Sequence, residues 1–173
     1  FLCLCDSFNI PLLFFHDIPG FLVGKAAERK RVAAKVMNYM NALGLLTVPK
    51  ISIVVRKTYG MAFWNMCGSG CGTDFLVAWP SAEISFVDPA IAANVVYGGK
   101  PSASDKKSDE WQALMDQLVD DASPYGAAGK HFIHDVIDPK DTRDYIVRAL
   151  EISYNARTKG ISEHRLANWP TKF

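Results

Sequence analysis

The residues with the clearest chemical potential lie at the end of an apolar run, in the segment ISIVVRKTYGMAFWNM (51–66). The β-branched residues predict a buried strand over 51–55, after which Gly60 permits a sharp turn into a helix. The first N–H groups of that helix, those of Met61 and Ala62, have no intrahelical acceptor and carry the positive end of the helix dipole. Two such amides can stabilise an oxyanion, although an ordinary strand–turn–helix with a glycine in the corner shows the same pattern.

Other candidate residues give less specific patterns. Ser69 does not lie in a GxSxG motif, because Cys67 stands where the first glycine is required, and no GxGxxG or P-loop lysine follows a strand. His16 and Asp17 are compatible with an acid/base pair at a strand end and with a core histidine beside a surface acid. The Cys67-x3-Cys71 spacing fits metal or redox chemistry as well as two buried thiols. No histidine has ligand spacing beside the cysteines, so we predict no metal site.

The elements that must position these residues alternate between strands and helices. Apolar runs predict strands over 12–15, 51–55, 75–79, 83–87 and 131–137. Helical patterns occupy 1–8, 25–46, 89–97, a stretch through Val119 that Ser108 or Asp109 can cap, and 139–155. In the long helix, the residues predicted to face the core are Ala26, Val32, Ala33, Val36, Met37, Met40 and Leu43. Strands and helices joined by short turns predict an α/β fold with crossover connections, with a polar tail over 153–173.

The composition is that of a single globular domain. The chain has 173 residues, 49% of them hydrophobic and 21% charged, and its net charge of +1 gives no reason to expect a nucleic-acid partner. Cysteines without a CxxC pair fit a reducing compartment, the cytoplasm or, in a eukaryote, the mitochondrial matrix. The opening residues 1–15 lack the basic leader of a signal peptide, and polar residues break their apolar run. Because apolar sequence begins at once, we expect residues 1–173 to be a fragment, incomplete at its N-terminus.

Four segments together resemble one protein family. They are HDIPGFLVG (16–24), TVPKISIVVRKTYGMAFWNM (47–66), AWPSAEISFVDPAIAANVV (78–96) and SPYGAAGKHFIHDVIDPKDTRDYIVRALEI (123–152). In this order they are similar to the C-terminal domain of biotin-dependent acyl-CoA carboxyltransferases. That family includes the β subunits of propionyl-CoA and methylcrotonyl-CoA carboxylases and related decarboxylases. The resemblance runs from about Asn9 to Ile152.

The resemblance implies a fold and an activity. The family fold is crotonase-like, a spiral of repeated ββα units, and this chain is similar to the second of two such domains. In the family, the N-terminal domain binds acyl-CoA, while the C-terminal domain of another subunit receives carboxybiotin from the biotin carboxyl carrier protein. The transfer needs little side-chain acid/base chemistry, because main-chain amides stabilise the oxyanions. We therefore expect a homo-oligomeric carboxyltransferase that uses biotin and acyl-CoA, and we expect this chain to be inactive alone and to self-associate.

The resemblance also implies site residues. The amides of Met61 and Ala62, directly after Gly60, correspond to the oxyanion hole of the family's C-terminal domain. Trp64 falls at the position associated with acyl specificity. The candidates for substrate binding are Gly20, Phe21 and Trp64.

Three positions depart from the usual family pattern. Met61 replaces a glycine or alanine, Trp64 replaces a small or acidic residue, and residues 34–38 replace an Arg-His-Gly-Ala-Lys segment. Two alternative functions therefore stay open: the carboxyltransferase subunit of a sodium-pumping acyl-CoA decarboxylase, and a non-catalytic assembly subunit.

Overall fold

The computed structural model describes residues 1–96, 98, 108–156, 164 and 166. The helices are α1 (Leu2–Ser7), α2 (Lys25–Arg29), α3 (Val32–Leu45), α4 (Met61–Asn65), α5 (Pro89–Val96), α6 (Asp109–Asp121), α7 (Pro124–Gly129) and α8 (Thr142–Ala156). The strands are β1 (Leu12–Ile18), β2 (Lys50–Tyr59), β3 (Phe75–Ala78), β4 (Glu83–Ser85) and β5 (Asp135–Val136). This order confirms the predicted α/β class.

Strand β2 organises the sheet. The strands run parallel in the order β1-β2-β3-β5, and parallel neighbours require the crossover connections that the helices provide. Residues 51–54 of β2 pair with 75–78 of β3. Farther along, residues 57–59 pair with 83–85 of β4. The same long strand therefore changes its neighbour from β3 to β4 before it ends.

The core lies on both faces of this sheet. Ile51, Ile53, Val54 and Val77 have no exposed surface, so the first half of β2 is buried at successive positions and not at alternate ones. One hydrophobic cluster joins α1, β1 and the end of α3, and a second joins β2 and β3 to α4 and α7. Every helix in the part of the chain that the structure describes is too short or too polar to cross a membrane.

The predicted long helix over 25–46 is two helices. Arg31 has left-handed backbone, with φ of 54°, which interrupts the helical hydrogen bonds between α2 and α3. The interruption also breaks the predicted apolar stripe: Ala27 is buried where Ala26 was expected, and Met37 is exposed. Only the end of α3, around Leu43, is fully buried.

Three predictions near the C-terminus also need correction. The segment 122–130, for which no helix is predicted, contains α7, because Ser123 accepts a hydrogen bond from the Tyr125 amide and Pro124 takes the first helical position. The strand expected over 131–137 is limited to β5. A 3-10 turn, Pro139–Asp141, precedes α8. Most of the predicted polar tail over 153–173 lies outside the described residues.

The alternation of β1 settles the two interpretations of His16 and Asp17. The strand buries every second residue, so His16 is fully enclosed while the neighbouring Asp17 faces outward. His16 Nδ1 lies 3.2 Å from the Thr58 hydroxyl, and its ring packs edge-on against Phe63. Burial lowers the pKa of His16 to about 4, and the Met66 carbonyl offsets this only in part. His16 is therefore a neutral core residue.

We expect the free energy of unfolding to decrease as the pH falls from about 6.5 to about 4. Over this interval the unfolded chain protonates His16 whereas the folded protein keeps it neutral, with its pKa near 4, so the loss reaches about 3 kcal/mol and stops there. Urea unfolding at a series of pH values measures it. His16→Phe keeps a packed ring that cannot titrate, and its pH dependence should be weaker by that amount. Equal pH dependence in both proteins would contradict the assignment.

Candidate active site

The turn between β2 and α4 has a backbone conformation that only glycine adopts easily. Gly60 has φ of 56° and ψ of −137°, and its amide donates a 3.0 Å hydrogen bond to the carbonyl of Ser85 in β4. A Cβ at this position would lie 2.8 Å from the carbonyl oxygen of Phe86. Glycine is therefore required both by the torsion angles and by the close approach of the backbone after β4.

The two amides after the turn are unpaired. Helix α4 begins at Met61, and its first internal contact is the 3.1 Å hydrogen bond from the Phe63 amide to the Gly60 carbonyl. Within residues 1–96 and the other described positions, neither the Met61 nor the Ala62 amide donates to an acceptor. Met61 is 42% exposed, whereas Ala62 is fully buried. An unpaired N–H is costly, so the amide of the partly exposed Met61 suits an oxygen supplied by a ligand, whereas Ala62 has no exposed surface in this structure.

A cavity of about 330 Å³ lies beside this turn, and we call it the aromatic cavity. Gly60 forms one edge. Helix α4, the end of β4 and the segment around α7 provide the apolar walls, which contain Phe63, Trp64, Ile84, Phe86, Ala127 and Phe132. Asp121 and Lys130 provide its charged groups. The lining thus combines a large apolar surface with a few polar groups, as is typical of small-molecule sites.

Side-chain pairs fasten the strand ends next to the turn. Tyr59 donates a hydrogen bond to the Glu83 carboxylate across β2 and β4, and burial together with this bond raises the pKa of Tyr59. Arg56 holds Asp17 through two hydrogen bonds of 2.9 and 3.0 Å, which keeps the pKa of Asp17 below its usual range. These contacts join β1, β2 and β4 directly before Gly60.

The structure brings some of the predicted site residues together and leaves others apart. Gly60 and Trp64 line the aromatic cavity, with Met61 and Ala62 between them in the chain. Gly20 and Phe21 follow β1 at the same edge of the sheet, because Ile18 pairs with Thr58 near the end of β2. Neither lines the cavity formed by the described residues.

Sequence reasoning missed Lys50, a buried lysine at the start of β2, the end of the strand opposite to Gly60. Its Nζ lies 3.5 Å from the Leu43 carbonyl and 3.4 Å from that of Leu46, at the C-terminal end of α3, where a positive charge is favourable.

Burial raises the pKa of the nearby Cys67 thiol to about 12, with Lys50 lowering it in part, so Cys67 is a protonated core residue. Among the described residues, no three His, Cys, Asp or Glu side chains are placed to hold a metal ion.

Comparisons with known proteins agree on one family. The sequence model of the "Carboxyl transferase domain" family matches residues 1–167. The chain is 38% identical, over 92% of its length, to the methylmalonyl-CoA decarboxylase subunit alpha of Propionigenium modestum. It is also 38% identical, over 98% of its length, to the methylmalonyl-CoA carboxyltransferase 12S subunit of Propionibacterium freudenreichii subsp. shermanii. The chain belongs to the biotin-dependent acyl-CoA carboxyltransferase family.

Solved structures of carboxyltransferases have the same fold. A transcarboxylase 12S structure superposes with a TM-score of 0.81 over 98% of the chain, at 36% identity. The β subunit of P. aeruginosa geranyl-CoA carboxylase superposes with a TM-score of 0.77 over 90% of the chain, at 28% identity. These matches confirm the predicted crotonase-like fold. The chain spans 31% and 32% of the two relatives above and 32% and 30% of these two structures, so it corresponds to a part of the family's subunits.

We expect Gly60→Ala to destabilise the carboxyltransferase chain by at least about 1–3 kcal/mol. The new Cβ meets the Phe86 carbonyl, and the residue must keep a positive φ. Gly44→Ala is the matched control, because it lies within α3 with open space around its Cβ, and it should stabilise by about 0.5–1 kcal/mol. Thermal or urea unfolding measures both changes. If both substitutions had the same effect, the turn would not need glycine.

Proposed function

We propose that this chain is the carboxybiotin-facing half of an acyl-CoA carboxyltransferase. The observation that carries the proposal is the pair of amides at Met61 and Ala62, which have no acceptor among the described residues. They directly follow Gly60, which lines the aromatic cavity, in a chain of the carboxyltransferase family. Carboxybiotin, delivered on its carrier protein, supplies an activated carboxyl group. When bound, carboxybiotin would have its ureido oxygen held by the amides of Met61 and Ala62, and it would supply the carboxyl group to the α-carbon of the acyl thioester in exchange for that carbon's proton.

The residues of this chain fit the ureido group of biotin chemically. Main-chain N–H groups stabilise the negative charge that develops on the ureido oxygen when the carboxyl group leaves, and they need no proton transfer of their own. The walls of the aromatic cavity, including Trp64 and Phe63, exclude water from the reacting groups, which strengthens each of these hydrogen bonds. Because main-chain N–H groups stabilise the charge and apolar side chains form the walls, the proposed active site needs no side-chain triad.

The proposed partners follow from the part of the family subunit that this chain spans. An N-terminal carboxyltransferase domain of another subunit supplies the acyl-CoA side, and the biotin carboxyl carrier protein supplies the carboxyl group. The transcarboxylase 12S structure is described as a hexamer assembly with methylmalonyl-CoA bound, which supports a homo-oligomer that acts on an acyl-CoA. The enzyme is proposed to work in the cytoplasm, or in the mitochondrial matrix if eukaryotic.

A second candidate function is the reverse transfer in an acyl-CoA decarboxylase. Two similar proteins, from Propionigenium modestum and Veillonella parvula, are methylmalonyl-CoA decarboxylase alpha subunits. The same amides serve either direction, because the ureido oxygen carries charge in both. Co-purification with a membrane subunit, and carboxyl release coupled to sodium transport, favour this candidate over the carboxylase.

A pair of substitutions at Met61 tests whether its amide is a donor in the reaction. Met61→Pro removes the N–H and suits the first position of a helix, where no intrahelical bond is lost. Met61→Ala keeps the N–H and removes the long side chain. In the assembled enzyme, we expect Met61→Pro to lower kcat by about 100-fold or more and Met61→Ala to retain activity. The measurement is carboxyl transfer from labelled carboxybiotin carrier protein to a panel of acyl-CoA substrates.

Two other outcomes of these assays would contradict the proposed role of the Met61 amide or the proposed activity. Equal activity of the two variants contradicts an oxyanion role for this amide. A wild-type assembly that transfers no carboxyl group, while still associating with its partners, favours the non-catalytic assembly subunit, in which Met61 closes the site.

We expect the isolated chain to be inactive and to self-associate. It exposes large apolar side chains that a partner domain would cover, among them Phe1, Phe8, Leu22, Val23 and Phe86. Light scattering over a range of concentrations measures the association, and the same transfer assay measures the activity. A stable monomer at high concentration, or activity without an acyl-CoA-binding domain, contradicts this expectation.

A further inference from the structure

Two charged side chains line the otherwise apolar aromatic cavity. Lys130 follows α7, and Asp121 ends α6. Both residues are exposed. Among the described residues Lys130 has no carboxylate within ion-pair distance, so Asp121 does not neutralise it directly. The lining therefore includes a lysine that forms no ion pair with any carboxylate of the described residues, next to apolar walls.

The surroundings of Lys130 favour one kind of ligand. Lys130 shares the cavity lining with Phe132 and Ala127. Beside apolar walls a charge pair is stronger than in bulk water. A cavity of about 150 Å³ holds a benzene ring. At about 330 Å³, the aromatic cavity has room for a branched acyl group together with a carboxylate. The fitting ligand has an apolar body and one negative charge.

We propose that Lys130 binds the carboxylate of the carboxylated acyl thioester. The inference rests on the proposed function and adds a residue that distinguishes the carboxylated from the uncarboxylated acyl group. In this arrangement the acyl body lies against Trp64 and Phe63, and the carboxylate accepts a charge-assisted hydrogen bond from Nζ of Lys130. Asp121, in the same cavity lining, repels the ligand's carboxylate and so opposes this binding.

A purely structural role for Lys130 predicts different behaviour. A lysine after the last turn of α7 also stabilises the negative end of that helix. Its removal would then weaken binding of carboxylated and uncarboxylated thioesters alike, through a change in the shape of the cavity. The difference between the two ligands separates the roles.

The experiment compares equilibrium binding of methylmalonyl-CoA and propionyl-CoA, which differ by one carboxylate. The protein is the carboxyltransferase assembly without carrier protein, and calorimetry measures each Kd. We expect Lys130→Met to weaken methylmalonyl-CoA binding about tenfold, and to leave propionyl-CoA binding within about twofold. Lys130→Arg should retain the preference for methylmalonyl-CoA. Asp121→Asn should act in the opposite direction and tighten methylmalonyl-CoA binding alone.

Three results would overturn the inference: equal losses for both thioesters in Lys130→Met, no loss for either, or a wild-type assembly that binds both equally. Because both residues are exposed, the variants should fold, and the Asp121→Asn arm tests the charge effect without altering Lys130. Failure of the proposed function is a separate result. It would appear as a wild-type assembly that discriminates between the two thioesters and yet transfers no carboxyl group to or from the carrier protein.

Discussion

The hydrogen bond from the Gly60 amide to the Ser85 carbonyl is the contact on which the candidate site depends. It joins the last residue before α4 to β4, and it does so in a conformation that side chains other than hydrogen do not tolerate. The direction of α4, and with it the direction of the free amides, follows from this one turn. The same contact brings Phe86 to the edge of the aromatic cavity.

The proposed site of main-chain donors explains why the sequence contains no catalytic triad. The hydrogen-bonding groups at Met61 and Ala62 exist whatever side chains stand there, so their chemistry leaves little trace in residue types. Only the glycine that shapes the turn is visible in the sequence. Side chains contribute in other ways: Trp64 forms a wall of the cavity, and Tyr59 with Glu83 secures the strands that lead to it.

Local signals were sufficient to predict the first half of β2 and the turn at Gly60, whereas β2 continues to Tyr59, beyond the predicted end at residue 55, where it pairs with β4. The break at Arg31 was not predictable, since its left-handed backbone leaves no mark in a continuous helical pattern. Lys130 and Asp121 escaped prediction for a different reason. They reach the cavity from segments about 60 to 70 residues beyond Gly60, and only the folded chain brings them there.

The change of neighbour along β2, from β3 to β4, determines how a packing defect in the core affects the turn at Gly60. The first half of the strand is tightly packed between β1 and β3, and its last residues set where Gly60 lies. The register of β2 against β1 shifts between the pairs at His16 and Ile18, so the second half of the strand is not a rigid extension of the first. The turn at Gly60 is therefore positioned by the pairing of residues 57–59 with β4, which a packing defect around Ile53 does not directly touch.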